Sequence, residues 1–293
     1  MAFLLQILVS GILVGSIYGI AALGFTIVFN ATRVINFANG EFLMVGGLAT
    51  AMLAISGVGW MPTVVAVGAA IVATSLLGAA MQVLALNYSR SRDLHMLVML
   101  TIGITLMLRG LASLVFGRDV LFVSDFGLFP SLVVGQVFIP AQGVWIVVAL
   151  VLVSLGLWAL FKHTMVGKAM QAASLEPRAA SLCGIEPRRM ALLSFVIAGA
   201  IGGLAGALMA PIAPPFYENG VMLGLKGFAA AIAGGLGNPM GAVIGGLLIG
   251  LIESASAGYG ASGFKDAISF LLLVAILIVR PAGLIGKLEV KRV

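Results

Sequence analysis

Charged residues are scarce in this chain of 293 residues, and their scarcity excludes a soluble globular protein. Only 9% of the residues are Asp, Glu, Lys or Arg, against roughly 25% in typical soluble proteins. Hydrophobic residues make up 61% of the chain, and apolar runs of about 20 residues, long enough to cross a bilayer as a helix, recur along it. Because the runs are continuous and not alternating, they predict an all-α, polytopic transmembrane helical bundle, not a β-barrel.

The residues that build disulfides, metal centres and catalytic sites are equally few. The chain has one cysteine, Cys183, which excludes an internal disulfide, and its two histidines are isolated in the sequence. We find no cluster of metal ligands and no nucleophile paired with a base, so we expect neither a metal site nor an enzyme. A G-x-x-x-x-G-K phosphate loop requires a glycine five residues before the Gly-Lys pair, and neither Gly167-Lys168 nor Gly286-Lys287 has one. If ATP drives this protein, another chain must bind it.

The apolar runs predict about eight membrane helices plus one broken or re-entrant helix pair, in a single domain over residues 1–293. The first run lacks the basic start of a cleaved signal and continues to about Phe29, so we expect a retained membrane helix. The predicted runs are 4–29, 41–57, 62–86, 94–116, 142–161, 190–212, 223–253 and 264–280.

The basic residues predict the orientation of the bundle. With the N-terminus outside, 12 of the 16 Lys and Arg residues fall on the cytoplasmic side, as the positive-inside rule requires. In this orientation the C-terminus lies on the cytoplasmic side, with those 12 residues. Because the basic residues lie in loops between apolar runs, the net charge of +6 reflects membrane orientation, and we expect no nucleic-acid partner. The predicted cytoplasmic residues are Arg33, Arg90, Arg92, Lys162, Lys168, Arg178, Arg188, Arg189, Arg280, Lys287, Lys291 and Arg292, and the exceptions are Arg109, Arg118, Lys226 and Lys265.

The run 223–253 is too long for one ordinary crossing, and glycine and proline interrupt it at 234–239. A single crossing would move the basic C-terminus outside, so the charge pattern demands two short crossings or a re-entrant hairpin. The half that begins near Met240 could direct its positive end at an amino-acid carboxylate, or the break could be a plain turn. Gly235, Gly237 and Asn238 are therefore candidates for the translocation path.

Glycine is abundant, with 39 residues, and often recurs at a spacing of four. Such spacing lets helix backbones approach closely in lipid. It favours packing within one subunit over a subunit interface or a lining of the translocation path. The spaced glycines are Gly11, Gly15 and Gly19, Gly199 and Gly203, Gly202 and Gly206, and Gly241 and Gly245.

A second polar interruption lies where the first run ends and the second begins. Asn39 is expected to be a helix N-cap, with Glu41 in the first turn facing a favourable helix dipole. The cluster is either a capped helix start at the inner membrane surface or a discontinuity that lines part of the inner gate. Asn36, Asn39 and Glu41 are therefore further candidates for the path.

Three charged residues fall within or beside the apolar runs. Arg109 lies inside the fourth run, where it needs a partner or must extend toward the membrane surface. Lys226 and Glu253 lie near run ends, and we expect both at the outer membrane interface.

The segment 163–189 is the longest predicted cytoplasmic piece, and its middle has the pattern of a short helix. Pro177 suits the first helical position, Glu176 places negative charge at the helix start, and Gly184 can adopt the left-handed cap. A helix of about two turns is marginal alone in water. It is either a connector against lipid headgroups or a docking helix that presents Leu182 and Ile185 to a cytoplasmic partner.

One family resemblance involves this segment. EPRAASLCGI, from Glu176, resembles the short cytoplasmic E-A-A motif followed by glycine that ABC importer permeases present to their ATPase subunits. Three further stretches are similar to branched-chain amino-acid permeases of LivH type. They are TMVGKAMQAAS from Thr164, GSIYGIAALGFTIVFNATRVINFANGEFLMVGG from Gly15, and GLKGFAAAIAGGLGNPMGAVIGGLLIGLIE from Gly224.

The resemblance implies a permease subunit of an ATP-driven ABC importer for branched-chain or related neutral amino acids, in the bacterial plasma membrane. It implies a homologous second permease, two cytoplasmic ATPase subunits that hold ATP and Mg, and an extracytoplasmic substrate-binding protein. The docking role would fall to Glu176, Pro177, Arg178, Leu182 and Gly184.

Two other functions stay open. Urea and short-chain amide permeases resemble the same template, and ribose-type sugar permeases do so more distantly. An ion-coupled secondary transporter is the remaining alternative, with a coupling site near Glu41 or Arg109.

Overall fold

The predicted all-α architecture is confirmed by the structure, a computed structural model that describes residues 2–55, 60–86, 94–126, 131–260 and 262–286. Within those ranges the chain forms eleven α-helices and one short β-hairpin. The basic residues Arg90, Arg92, Lys287, Lys291 and Arg292, which the orientation argument uses, lie outside the described residues. The helices are α1 (Ala2–Thr32), α2 (Asn39–Ile55), α3 (Trp60–Ala80), α4 (Leu94–Val115), α5 (Ala141–His163), α6 (Met165–Leu175), α7 (Pro177–Leu182), α8 (Pro187–Met209), α9 (Asn219–Gly234), α10 (Pro239–Gly258) and α11 (Lys265–Val279).

Smaller elements extend or connect these helices. A π-helical turn, Met81–Leu86, continues α3, and a 3₁₀ turn, Ser262–Phe264, precedes α11. Strands β1 (Leu132–Val134) and β2 (Val137–Ile139) pair antiparallel, with Leu132 opposite Ile139. In the described part of the chain, six helical stretches are long and apolar enough to cross a membrane: Ala2–Thr32, Thr63–Leu84, His95–Val115, Ala141–His163, Pro187–Met209 and Pro239–Gly258.

Helix α1 is the central element of the bundle. Its 31 residues extend over about 46 Å at 1.5 Å per residue. Every residue from Gly15 to Val28 is buried, so helices surround this part of α1 on all sides. Helix α10 packs antiparallel to it. A Cβ added to Gly11 would lie 2.8 Å from the Cα of Leu251, and one added to Gly15 would lie 2.8 Å from the Cα of Leu247. These glycines therefore serve packing within the chain, as predicted.

The other spaced glycines also face neighbouring helices of the same chain. Gly199 and Gly203 pack against the backbone and side chain of Thr74 on α3. Gly202 packs against Phe42 on α2, and Gly206 packs against the adjacent backbone of that helix. Helix α8 thus lies in close contact with both α2 and α3 because glycine removes the side chains between them.

The contacts along α1 define two ends of the bundle, which we call the Ala2 end and the Thr32 end. Helix α5 runs parallel to α1, with Gly143 near Leu13 and Leu150 near Gly19. The β-hairpin lies at the Ala2 end, where the side chain of Gln6 donates to the carbonyl oxygen of Phe138. The segment 163–189 lies at the Thr32 end, since Ala173, Pro177 and Pro187 line one cavity together with residues 31–34.

The broken run 223–253 forms an antiparallel helical hairpin of α9 and α10. Gly245 packs on the backbone of Ala230, and Gly241 packs on Gly234. The turn of the hairpin reaches the Thr32 end, where the Nδ2 of Asn30 donates to the carbonyl oxygen of Gly237 at 2.8 Å. Helix α10 and the turn before it therefore accompany α1 from Gly11 to Asn30, a length of about 28 Å that matches the hydrocarbon thickness of a bilayer.

Candidate functional site

The short helix predicted in the segment 163–189 is confirmed as α7, with the predicted signals at both ends. Pro177 occupies the first helical turn, and Gly184 has a φ of 79°. The N–H of Ile185 donates to the carbonyl oxygen of Ala180 at 3.0 Å, and the N–H of Gly184 donates to that of Ser181 at 3.1 Å. This pair of hydrogen bonds is the Schellman motif, which ends a helix and fixes the direction of the following chain.

Helix α6 holds α7 against the bundle, and the sequence pattern does not predict it. The hydroxyl of Thr164 caps α6 by accepting from the N–H of Gly167 at 3.1 Å. Met170 is fully buried and Ala173 is nearly so, whereas the opposite face of α6 is exposed. The amphipathic helix therefore lies along the Thr32 end and positions α7 on its outer surface.

Leu182 protrudes from α7. Its side chain is 91% exposed, although it lies next to the rigid glycine cap. Burial of a leucine side chain stabilises a structure by about 1.5–3 kcal/mol. Glu176 and Arg178 are also exposed, and Glu186 pairs with Arg189 at 2.6 Å on the surface. The arrangement is a rigid, apolar tip with charges around it.

The polar interruption between α1 and α2 lies inside the bundle. Helix α2 begins at Asn39, whose Nδ2 donates to the carbonyl oxygen of Ala21 in the middle of α1 at 3.2 Å. The prediction that Asn39 is an N-cap is wrong, because its side-chain oxygen accepts no hydrogen bond. The oxygen of Asn36 instead accepts from the N–H of Ala38 at 3.0 Å and turns the chain before the helix.

The N-terminal ends of α2 and α9 meet inside the bundle. Gly40 packs directly against Gly220 and Gly224, and the carboxylate of Glu41 lies where a Cβ on Gly220 would be. Glu41 is fully buried, and neither of its oxygens has a hydrogen-bond partner. Arg109 on α4 is half-buried, interacts electrostatically with Glu41, and keeps a buried Nε without a partner. The structure thus places Asn36, Asn39 and Glu41 together among buried polar atoms with spare hydrogen-bonding capacity.

Gly235, Gly237 and Asn238 form the turn between α9 and α10, away from Asn36, Asn39 and Glu41, which we call the Glu41 cluster. Gly235 and Gly237 have φ values of 109° and 93°, which favour glycine. The oxygen of Asn238 caps α10 by accepting from the N–H groups of Met240 and Gly241 at 3.0 and 3.3 Å. Because these N–H groups are already satisfied, the contacts favour a plain turn over a carboxylate site at this helix start.

Lys226 and Glu253 are not interfacial, which corrects the sequence-based expectation. Each is 6% exposed, and Lys226 Nζ lies 2.7 Å from Glu253 Oε1. Lys226 also lies 2.7 Å from Asp266 Oδ1 on α11 and donates to the Tyr18 hydroxyl on α1 at 3.0 Å. The Tyr18 hydroxyl in turn donates to Glu253 Oε2 at 2.9 Å. The cluster connects four helices, and its members are too far apart in sequence for their pairing to be predicted.

The fold is that of a polytopic helical membrane protein that exposes a short capped helix at one end. A family model described as the branched-chain amino acid transport system permease component matches residues 7–277. The chain therefore belongs to the branched-chain amino acid transport permease family. No solved structure matches it.

Named relatives agree with this assignment. The chain is 33% identical over 313 residues to the high-affinity branched-chain amino acid transport system permease protein LivH of Escherichia coli (strain K12), covering 99% of this chain and 98% of the relative. It is 31% identical over 306 residues to BraD of Pseudomonas aeruginosa, with the same coverage. The ribose import permease protein RbsC of Bacillus subtilis is 28% identical over 151 residues, 48% of this chain and 46% of the relative.

Proposed function

We propose that this chain is the permease subunit of an ATP-driven ABC importer that moves branched-chain or related neutral amino acids across the bacterial plasma membrane. Its partners are a homologous second permease, two cytoplasmic ATPase subunits and an extracytoplasmic substrate-binding protein. ATP and Mg bind to the ATPase subunits. Family membership supports the class of solute, since the matching family is described by that transport system.

The 91% exposed Leu182 on a capped helix is the observation that carries the docking role. Helix α7 is short, yet Pro177, the Schellman hydrogen bonds and the burial of Ala180 fix its position. A rigid apolar tip loses little conformational entropy on binding, which favours its use as a contact for a moving partner. In this proposal, closure of the ATPase subunits pulls on α7, and α6 and α8 transmit the movement to the bundle.

The Glu41 cluster supplies a candidate for the solute path. Buried polar atoms without partners are uncommon and are stabilised by water, an ion or a ligand. The unpartnered atoms of Asn36, Asn39 and Glu41 lie beside glycine contacts between α2 and α9 that can separate without disrupting side-chain packing. We place part of the path here. Gly235, Gly237 and Asn238 remain weaker candidates.

The test is uptake of radiolabelled leucine by vesicles that contain the assembled complex and its binding protein. We expect uptake to require ATP, and Leu182→Glu to abolish it while the permease remains folded in the membrane. Val133→Glu is the matched control, because Val133 is 66% exposed but lies on the β-hairpin at the opposite end. Uptake driven by an ion gradient without ATP would refute the proposal in favour of a secondary transporter.

A further inference from the structure

A cavity of about 420 Å³ lies toward the Ala2 end, beside the charged cluster of α9, α10 and α11. We call it the Lys226 cavity. Its walls come from five helices and from the loop that precedes α9. Small-molecule sites are usually concave and apolar, with a volume of roughly 300–1,000 Å³ and a few placed polar groups. The lining includes Ile17, Tyr18, Met222, Lys226, Lys265 and Asp266.

The inner part of the charged cluster is buried and paired within the protein, since Lys226 and Glu253 are each 6% exposed. Lys226 Nζ donates to the Tyr18 hydroxyl and to Glu253 Oε1, and it forms an ion pair with Asp266 Oδ1 at 2.7 Å. Glu253 accepts from both Lys226 and Tyr18. These contacts fix Glu253 and Asp266 in position and form a rigid polar floor.

The outer part of the cluster retains charges of both signs. The side chain of Asp266 is 35% exposed, and that of the adjacent Lys265 is 45% exposed. A carboxylate offers about four acceptor positions, so Asp266 can accept further hydrogen bonds beyond its contact with Lys226. Lys265 Nζ lies 4.0 Å from Glu253 Oε1, beyond hydrogen-bonding distance. An anion and a cation with spare capacity therefore lie side by side.

The remaining wall is mainly aliphatic. Val14, Ile17, Met209, Ile212, Met222 and Leu223 line it, and Ile212 and Met222 are 41% and 44% exposed. An aliphatic wall next to one positive and one negative group is complementary to a zwitterion that carries an apolar side chain. A solute with a single charge would contact only one of the two groups.

We propose that the Lys226 cavity binds a neutral aliphatic amino acid, with its ammonium on Asp266, its carboxylate on Lys265, and its side chain against the α8–α9 wall. This inference rests on the proposed function for the class of solute and for the orientation that opens the cavity to the outside. It assigns solute contacts in the permease itself.

Thiol protection in the assembled complex tests this site. Cys183→Ser removes the native thiol, and Met222→Cys places a reporter in the cavity wall. A membrane-impermeant maleimide is applied from outside with L-leucine, with 4-methylpentanoate, which lacks the ammonium, or with 3-methylbutylamine, which lacks the carboxylate. At a leucine concentration three times its Kd, labelling should slow about fourfold, because only unoccupied sites react. Each half-analogue should protect far less at the same concentration.

Two further variants complete the experiment. Phe122→Cys is the control reporter, since Phe122 is 73% exposed in a loop at the same end and lines no part of the cavity. Its labelling should not respond to leucine. Asp266→Asn or Lys265→Met in the Met222→Cys background should remove the protection by leucine.

The inference and the proposed function can fail separately. Leucine-insensitive labelling at position 222 in vesicles that import leucine with ATP would overturn the site and leave the proposed function intact. Equal protection by leucine and by either half-analogue would also overturn it, because the proposed contacts require both charges.

Discussion

Gly15 is the residue at which the close approach of α1 and α10 can be tested most directly. A Cβ at this position would lie 2.8 Å from the Cα of Leu247, and backbone at that distance cannot yield without moving the helix. We expect Gly15→Ala to destabilise the bundle by about 1–3 kcal/mol through overpacking. The measurement is the thermal unfolding midpoint in detergent.

Gly156→Ala is the matched control for this substitution. Gly156 lies within α5, and a Cβ there would have no neighbour within 4 Å. Alanine has a helix propensity higher than glycine by about 1 kcal/mol, so the control should be neutral or stabilising. Equal loss of stability in both variants would contradict the packing argument.

Lys226 is the second residue whose environment makes a quantitative prediction. Replacement of Lys226 by Met leaves the carboxylate of Glu253 buried and without its closest cation, since Lys265 Nζ lies 4.0 Å away. Breaking a buried ion pair from one side typically costs about 3–5 kcal/mol. We therefore expect Lys226→Met to lower the unfolding midpoint strongly.

A double variant distinguishes this cause from a general packing defect. Lys226→Met with Glu253→Met removes both buried charges and should be more stable than Lys226→Met alone. If the second substitution instead lowers the midpoint further, the cost of Lys226→Met does not come from the unpaired carboxylate. The double variant also removes the acceptor of the Tyr18 hydroxyl, so its gain in stability underestimates the cost of the unpaired carboxylate.

Residues that act on nearby backbone atoms and residues that pair across the fold differ in how well the sequence predicts their roles. Pro177, Gly184 and Asn238 act on backbone atoms within five residues, so their turn and cap roles could be predicted. Lys226 lies 208 residues from Tyr18 and 27 from Glu253. A charge near the end of an apolar run is ordinarily interfacial, and only the packing of α1, α9 and α10 shows the pairing.

At the scale of the element, α7 depends on the left-handed backbone of Gly184. No atom would contact an added Cβ at this position, so a substitution acts through the φ of 79° alone. A β-branched residue in this conformation costs about 1–3 kcal/mol, while Asn tolerates it. We expect Gly184→Val to reduce co-purification of the ATPase subunit and Gly184→Asn to retain it.

Membrane insertion is the internal check for both Gly184 variants. Helix α7 packs on the surface of the Thr32 end and contributes only Ala180 to the buried residues, so the permease should accumulate normally in each case. If the ATPase subunit still co-purifies with Gly184→Val, the glycine cap is not needed for docking. A loss of both variants from the membrane would show that the segment is needed for folding.

Two elements lay beyond prediction for a shared reason. Helix α6 is short and only partly apolar, and its burial depends on Met170 reaching helices far away in sequence. The depth at which α2 begins depends on Gly40 meeting Gly220 and Gly224. Run lengths predict which stretches of the chain are apolar enough for membrane helices, but not which helices begin inside the bundle.

At the scale of the whole molecule, the Lys and Arg residues are distributed unequally between the two ends of the bundle. In the described part of the chain, the Thr32 end carries Arg33, Lys162, Lys168, Arg178, Arg188, Arg189 and Arg280, whereas Arg118 and Lys265 lie toward the Ala2 end. Lys and Arg near membrane helices are retained on the cytoplasmic side. The asymmetry predicts that the Thr32 end, with α7 exposed on it, faces the cytoplasm.

The single cysteine makes this orientation measurable without adding a probe. Cys183 is exposed at the end of α7. In intact cells a membrane-impermeant maleimide should not label it, and labelling should appear once the membrane is permeabilised. Val133→Cys in a Cys183→Ser background should react at once, because the β-hairpin lies at the opposite end. Immediate labelling of Cys183 would place α7 outside, out of reach of any ATP-driven motor, and the docking proposal could not stand.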